Sequence, residues 1–351
     1  MSASIRNTHA GVISFVRCVL LTVPLFSPSR VVFAETALPI AEDPSLLPYA
    51  EPGQRVDIGG RHINLRCSGS GRPTVILMAG LLHWSYVWHK TQPEIANRRR
   101  VCAFDRASFG FSDPAPKPEI MAEVVNDLHA ALQAAGVPGP YVLVGHSAGG
   151  FEARVFAQKW PGEVAGMVLI DTSYAGQVLD QTNMPSFKGL GFEAEGPAAL
   201  KCALLAAREP LDPSDPEYES CSLPLPKGAP AALQIIWPRF FTADYQCTHV
   251  SLVTSLYTRR YDRADHLHLG DMPLVVLSRA PDRDWPEGEF GRDLRQQWYA
   301  HHEALAHLSS RGVHRVIAHS GHDIERDQPQ AVIDAVDAVL RQLHAAQTSA
   351  S

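Results

Sequence analysis

One short segment constrains this chain more than any other: the pentapeptide Gly145-His146-Ser147-Ala148-Gly149 follows the apolar run Tyr141-Val142-Leu143-Val144 and precedes Phe151, Val155, Phe156 and Trp160 at helical spacing, with Pro161 as the stop. A G-x-S-x-G string between a strand and a helix describes a turn too sharp for ordinary backbone. The serine is forced into a sparsely populated conformation, and residues with side chains in the flanking positions would collide with neighbouring backbone. Such a turn lifts the hydroxyl above the sheet edge. It also aims the first free N–H groups of the helix, Ala148 among them, at any negative charge that develops there.

The rest of the chain supplies a sheet on which that turn can sit. Gln54 to Ile58 and His62 to Cys67 read as two short strands around Gly59-Gly60, a hairpin. Thr74 to Met78 and Arg100 to Phe104 are continuous apolar runs of the kind found in strands buried on both faces. Met121, Val124, Val125, Leu128 and Leu132 repeat at helical spacing. Met167 to Ile170, Leu274 to Leu277 and Arg315 to Ala318 read as further strands, and Val332 to Leu343 as a closing amphipathic helix. Alternation of this kind predicts an α/β fold with a mostly parallel sheet covered on both faces. The rhythm breaks between Ser173 and Gly270, a Pro-rich stretch with no clear strand run, too long for a loop in a compact domain. We read residues 173–270 as an inserted, mainly helical cap between two parts of one core, 35–172 and 271–345. Trp237, Phe240 and Phe241 are candidates for its apolar lining, with packing inside the cap as the alternative.

Residues 1–34 read as a targeting segment. Arg6 and Arg17 precede the short apolar stretch Cys18 to Phe26, and Val32-Phe33-Ala34 places small residues at a signal-peptidase site, so cleavage after Ala34 is expected and the protein is expected to be secreted or periplasmic. The apolar stretch is too short to span a bilayer, and no stable membrane insertion is expected. A formal net charge of −6 gives no electrostatic reason for nucleic acid as a partner. Export permits disulfides among Cys67, Cys102, Cys202, Cys221 and Cys247, an odd number that leaves at least one thiol over. No C-x-x-C pair is present, His266 and His268 alternate without further donors, and no metal and no cofactor are expected. The sequence does not fix an oligomeric state.

Four segments in order then carry a resemblance: Ala79-Gly80-Leu81 after a strand, Asp105-Arg106-Ala107-Ser108-Phe109-Gly110-Phe111-Ser112, the Ser147 turn, and Ser320-Gly321-His322 after the last strand. Over roughly residues 55 to 343 the chain resembles the α/β-hydrolase superfamily, in its serine esterase and lipase-like branch. The resemblance implies an eight-stranded sheet with Ser147 as nucleophile, His322 as general base, and the N–H groups of Leu81 and Ala148 as oxyanion hole. Two departures stand out. Ala79 occupies the position of the family's histidine in the first segment, and Ser108 that of a glycine in the second. Asp105 and Arg106 are taken as structural, pinning the loop beside the site. His319 is the rival to His322, and His146 is expected to point away from the serine. In the family's sheet the second strand lies antiparallel beside the fourth, which would set Cys67 opposite Cys102; Cys202 and Cys221 would then close a loop in the cap.

The acid that orients the histidine has two candidates. Asp282 lies at the usual distance beyond the strand Leu274 to Leu277, although Arg279-Ala280-Pro281 replaces the usual small residue before it. Asp171 follows Met167 to Ile170 directly, at the carboxyl edge of the sheet, and is the preferred of the two. The expected activity is hydrolysis of a small or medium carboxylic ester through an acyl-enzyme, with a small molecule as partner. The alternatives are aminopeptidase, C–C hydrolase or lyase chemistry at the same residues, a lipid-surface enzyme, or a non-catalytic ligand-binding protein on the same fold.

Overall fold

Eight strands form a single sheet in the order β1-β2-β4-β3-β5-β6-β7-β8. They are β1 (Gln54–Asp57), β2 (His62–Ser68), β3 (Thr74–Met78), β4 (Val101–Phe104), β5 (Tyr141–His146), β6 (Val164–Ile170), β7 (Leu274–Ser278) and β8 (Gly312–Val316). The structure, a computed structural model, describes residues 41–116, 119–186, 192–208, 211–256 and 258–350. The expected leader, residues 1–34, and its expected cleavage site lie outside the described residues. β1 and β4 both pair antiparallel with β2, and every later pairing is parallel. The central strands β3, β4, β5 and β7 are buried at every position, which is why they appear in the sequence as unbroken apolar runs.

Twelve α-helices lie among the described residues. Those of the core are α1 (Gln92–Ala96), α2 (Met121–Ala134), α3 (Ala148–Lys159), α10 (Gly288–Ala306), α11 (Ile324–Asp327) and α12 (Pro329–Ala350). The stretch between β6 and β7 holds α4 (Gln177–Thr182), α5 (Phe192–Arg208), α6 (Tyr218–Cys221), α7 (Ala231–Ile236), α8 (Ala243–Leu256) and α9 (Asp262–Asp265). No strand occurs among its described residues, so the insertion is helical. One buried arginine ties both of its ends to the core: Arg154 on α3 donates to the Ser173 carbonyl (2.7 Å) and the Thr172 hydroxyl (2.9 Å) at the entrance, and pairs with Asp265 on α9 (2.7 Å) at the exit.

Disulfides join Cys67 to Cys102 and Cys202 to Cys221, and Cys247 is free and exposed. The first bridge spans directly opposed residues of the β2–β4 ladder, and the second joins α5 to α6.

Two expectations need correcting. β8 begins and ends earlier than Arg315 to Ala318: it pairs with β7 from Gly312 to Val316. It is an edge strand with Val313 39% and Val316 48% exposed, so hydrophobicity does not mark its ends. Trp237, Phe240 and Phe241 do not line the cavity above Ser147. They are buried in an aromatic cluster with Trp84 and Tyr86, the Trp84–Trp237 and Trp84–Phe240 ring centroids lying 5.1 and 4.9 Å apart. Close-packed rings of this kind are the core of the joint between the insertion and the sheet.

Candidate active site

β5 ends at His146, and α3 begins at Ala148, so Ser147 alone makes the turn. Its backbone sits at φ 51°, ψ −120°, a conformation that costs a non-glycine residue about 1–3 kcal/mol. Its N–H donates to the Ile170 carbonyl at 2.9 Å, which fixes the turn against β6. The flanking glycines are required by space. A Cβ on Gly145 would come within 2.3 Å of the Gly149 carbonyl oxygen, and one on Gly149 within 2.2 Å of the Met78 carbonyl oxygen.

Ser147 Oγ lies 3.0 Å from His322 Nε2, and His322 Nδ1 lies 2.6 Å from Asp171 Oδ2. The three groups therefore form one hydrogen-bonded chain. It can pass the serine proton to the imidazole while the carboxylate fixes the tautomer and balances the resulting charge. His322 hangs from the loop after β8. The rival His319 is exposed and held at φ 59°, with no part in the chain.

Of the two acids, the structure brings Asp171 to His322 and leaves Asp282 exposed, with no contact to the imidazole among the described residues. The geometry explains the choice. Asp171 takes up a left-handed conformation (φ 39°) at the end of β6 and donates its N–H to Leu277 at 2.7 Å, which turns the carboxylate toward the histidine. The loop after β7 serves another purpose: Asp284, two residues beyond Asp282, accepts the backbone N–H of His322 at 3.2 Å. A Cβ on Gly321 would sit 1.7 Å from that Asp284 oxygen, so the glycine before the histidine is what lets the loop anchor.

Asp171 is fully buried, and burial raises a carboxyl pKa. The Arg279 guanidinium and the His322 hydrogen bond outweigh this and hold the group below the usual carboxylate range. Arg279 Nε lies 2.9 Å from Oδ2 as an ion pair, its N–H not aimed along a hydrogen bond. Oδ1 accepts the Arg279 backbone N–H at 3.0 Å and the Trp298 indole N–H at 2.8 Å. Neither Arg279 nor Trp298 was singled out as a partner of the acid. Arg279 reads in the sequence only as part of the Arg279-Ala280-Pro281 turn before Asp282, and Trp298 carries no local signal of this role.

Leu81 and Ala148 border the same cavity as Ser147 or begin the helix beside it, and among the described residues neither backbone N–H has a hydrogen-bond partner. The loop that carries Leu81 is held from beneath by Arg106. Its guanidinium forms two bonds with Glu152 (2.7 and 2.9 Å), donates to the carbonyls of Gly80 (2.9 Å) and His83 (3.2 Å), and reaches that of Ala79. Asp105 pins the next turn by accepting from Ser85 N (2.9 Å) and Asn64 Nδ2 (2.8 Å). Ser108 keeps the left-handed conformation (φ 69°) that a glycine would provide, and its hydroxyl accepts from Thr248 on α8 at 3.0 Å. The departure from glycine thus links this turn to the insertion.

The cavity above Ser147 measures about 590 Å³. The sheet edge supplies its floor, and Gln177, Gln181, Ala199, Gln246, His249 and Leu256 from the insertion line it from the other side. His146 does not address Ser147 Oγ. Its Nε2 donates to the His322 carbonyl at 2.9 Å and its ring packs 4.7 Å from that of His322. Burial lowers its pKa to about 3, and that of His83 to about 4, so both imidazoles are neutral at pH 7. Together with Asp323 they bring three possible metal-ligating atoms within 4.8 Å of one another. Residues 83, 146 and 323 are too far apart in the chain for any spacing motif to show this.

Comparison with known proteins agrees with this fold. Residues 73–199 match the sequence profile described as alpha/beta hydrolase fold. The chain is 29% identical over 121 residues to the uncharacterized protein YbdG of Bacillus subtilis, a match covering 34% of this chain and 37% of that one. It is 33% identical over 110 residues to the esterase PIR7B of Oryza sativa subsp. japonica, covering 30% and 41%. The chain spans well under half the length of both relatives in these matches. Among solved structures, a thermophilic esterase from Thermogutta terrifontis superposes with TM-score 0.57 at 20% identity, over 84% of this chain and 98% of that one, a likeness of fold.

Proposed function

We propose that this chain, which has the fold of the α/β-hydrolases, is a serine carboxylesterase acting on small or medium esters. The observation that carries this reading is the unbroken chain from Ser147 Oγ through His322 to Asp171 on the floor of a cavity. Ser147 Oγ attacks the ester carbonyl carbon as His322 Nε2 takes its proton, and the carbonyl oxygen becomes an oxyanion facing the N–H groups of Leu81 and Ala148. Collapse breaks the C–O bond to the alcohol, which leaves with the proton from His322. Water, deprotonated by the same nitrogen, then releases the acid and restores the serine. Asp171 stays ionised throughout, stabilising the imidazolium. No residue in this scheme requires a cofactor.

A volume of about 590 Å³ falls within the range of pockets that enclose small organic ligands. The panel that tests the reading is a series of p-nitrophenyl esters of increasing acyl length run beside amino-acid p-nitroanilides. Turnover is expected on the esters with a maximum at short or medium chains. Faster turnover of the anilides would replace the esterase reading with an aminopeptidase.

We also infer that the enzyme works outside the cytosol, a reading supported by the leader composition and by two disulfides among the described residues. Sequencing of the mature protein from a periplasmic or culture fraction should begin at Glu35. An intact Met1 in the cytosolic fraction would refute it.

A further inference from the structure

Beside the Ser147–His322 pair lies a second cluster that the proposed reaction does not use. His83 comes from the loop after β3, His146 from the end of β5 and Asp323 from the start of α11, and a ring nitrogen of each histidine and a carboxylate oxygen of Asp323 lie within 4.8 Å of one another. His146 Nε2 is 3.8 Å from Asp323 Oδ1. Its other nitrogen is closed to any ion: Nδ1 faces the buried Glu325 at 3.3 Å, and a Cβ on Gly80 would come within 2.9 Å of it. All three residues border the cavity that holds Ser147, so a small ion has a path in.

Glu325 stands behind His146, on the side away from the cluster. It is fully buried, and its Oε1 faces His146 Nδ1 at 3.3 Å. While Nε2 donates its proton to the His322 carbonyl, Nδ1 is bare, and Glu325, whose carboxyl burial keeps protonated, faces it as the donor. An ion on Nε2 reverses this. The Nε2 proton leaves to solvent, the Glu325 proton passes to Nδ1, and Nδ1–H donates back to the carboxylate, a carboxylate–histidine–metal arrangement that supports metal-bound imidazoles.

We propose that His83, His146 and Asp323 form an inhibitory site for a first-row transition dication, Zn²⁺ being the best match to two imidazoles and one carboxylate. Tetrahedral bonds of about 2.0 Å place ligand atoms about 3.3 Å apart, so closing the site takes small side-chain movements, and water completes the fourth position. Binding disturbs both flanks of the reacting pair, since His146 precedes Ser147 and Asp323 follows His322 in the chain. It removes the His146 bond to the His322 carbonyl and sets a dication beside an imidazole that must become cationic in the transition state.

The metal half of this inference does not rest on the esterase reading, and its test does not need turnover. Folded protein carrying Cys247→Ser, which removes the free thiol found among the described residues, is dialysed against buffered Zn²⁺ and bound metal is counted. His83→Ala and Asp323→Asn in the same background are each expected to hold one ion fewer per chain, with unchanged circular dichroism. Glu325→Gln should weaken that ion by about 10–100-fold, the usual cost of losing such a carboxylate. Equal metal content in the parent and both ligand variants overturns the site, and so does an unweakened Glu325→Gln. The inhibitory half is read on p-nitrophenyl ester turnover with and without saturating Zn²⁺, each protein compared with itself. A loss of about tenfold or more, what one unit in the imidazolium pKa is worth, is expected in the parent and absent from the ligand variants. Site-dependent binding with unaltered turnover would leave a metal site that does not regulate the enzyme and would overturn that half alone.

Discussion

Asp171→Asn is expected to reduce turnover roughly ten-thousand-fold while Asp282→Asn leaves it within a few-fold, on the scale seen when the acid of such a triad is amidated. The size follows from the donors around the carboxylate. Oδ1 accepts from Trp298 Nε1 and Arg279 N, and Oδ2 accepts from His322 Nδ1 and pairs with Arg279 Nε. Every neighbour is a donor or a cation, so an amide has no position for its own NH₂ group. Turned toward His322, it forces the imidazole into the Nε2–H tautomer, which cannot take a proton from Ser147. Turned toward Trp298 and Arg279, it opposes two N–H groups in a buried place where each unmet donor costs about 1–3 kcal/mol. The measurement is kcat for both variants on the best ester of the panel, with melting curves to show that each is folded. A crippled Asp282→Asn beside an active Asp171→Asn would reverse the assignment.

That choice of acid also marks how far the sequence could be read. The sheet was legible because strands buried on both faces leave runs such as Thr74 to Met78 that no other element explains. The turn at Ser147 was legible because Gly145 and Gly149 answer to collisions within a few residues of themselves. Asp171 could be preferred because it follows its strand directly, and the reason it wins is invisible locally: Arg279 and Trp298 converge on it from β7 and α10. The edge strand β8 was shifted because a half-solvated strand does not separate apolar from polar positions at its ends. Trp237, Phe240 and Phe241 fell into the core because Trp84 and Tyr86, about 150 residues earlier, meet them there. The cluster of His83, His146 and Asp323 belongs to the same class. Its members lie on the loop after β3, the end of β5 and the start of α11, which only the finished sheet brings to one edge.

The largest effect is expected at Ser147, the proposed nucleophile. Removing the hydroxyl leaves no group that can form the acyl-enzyme. The loss should approach the full contribution of the triad, on the order of 10⁶ in kcat by comparison with other serine hydrolases. The fold should survive, because the Ser147 bonds that hold the turn are made by its backbone, not its side chain. The most direct measurement is covalent labelling with an active-site phosphonate followed by peptide mapping. One label per chain is expected, on Ser147, formed in step with loss of ester turnover and absent from a folded Ser147→Ala. Stoichiometric labelling of Ser147→Ala, or an inactivated enzyme whose label sits on another residue, would contradict the assignment.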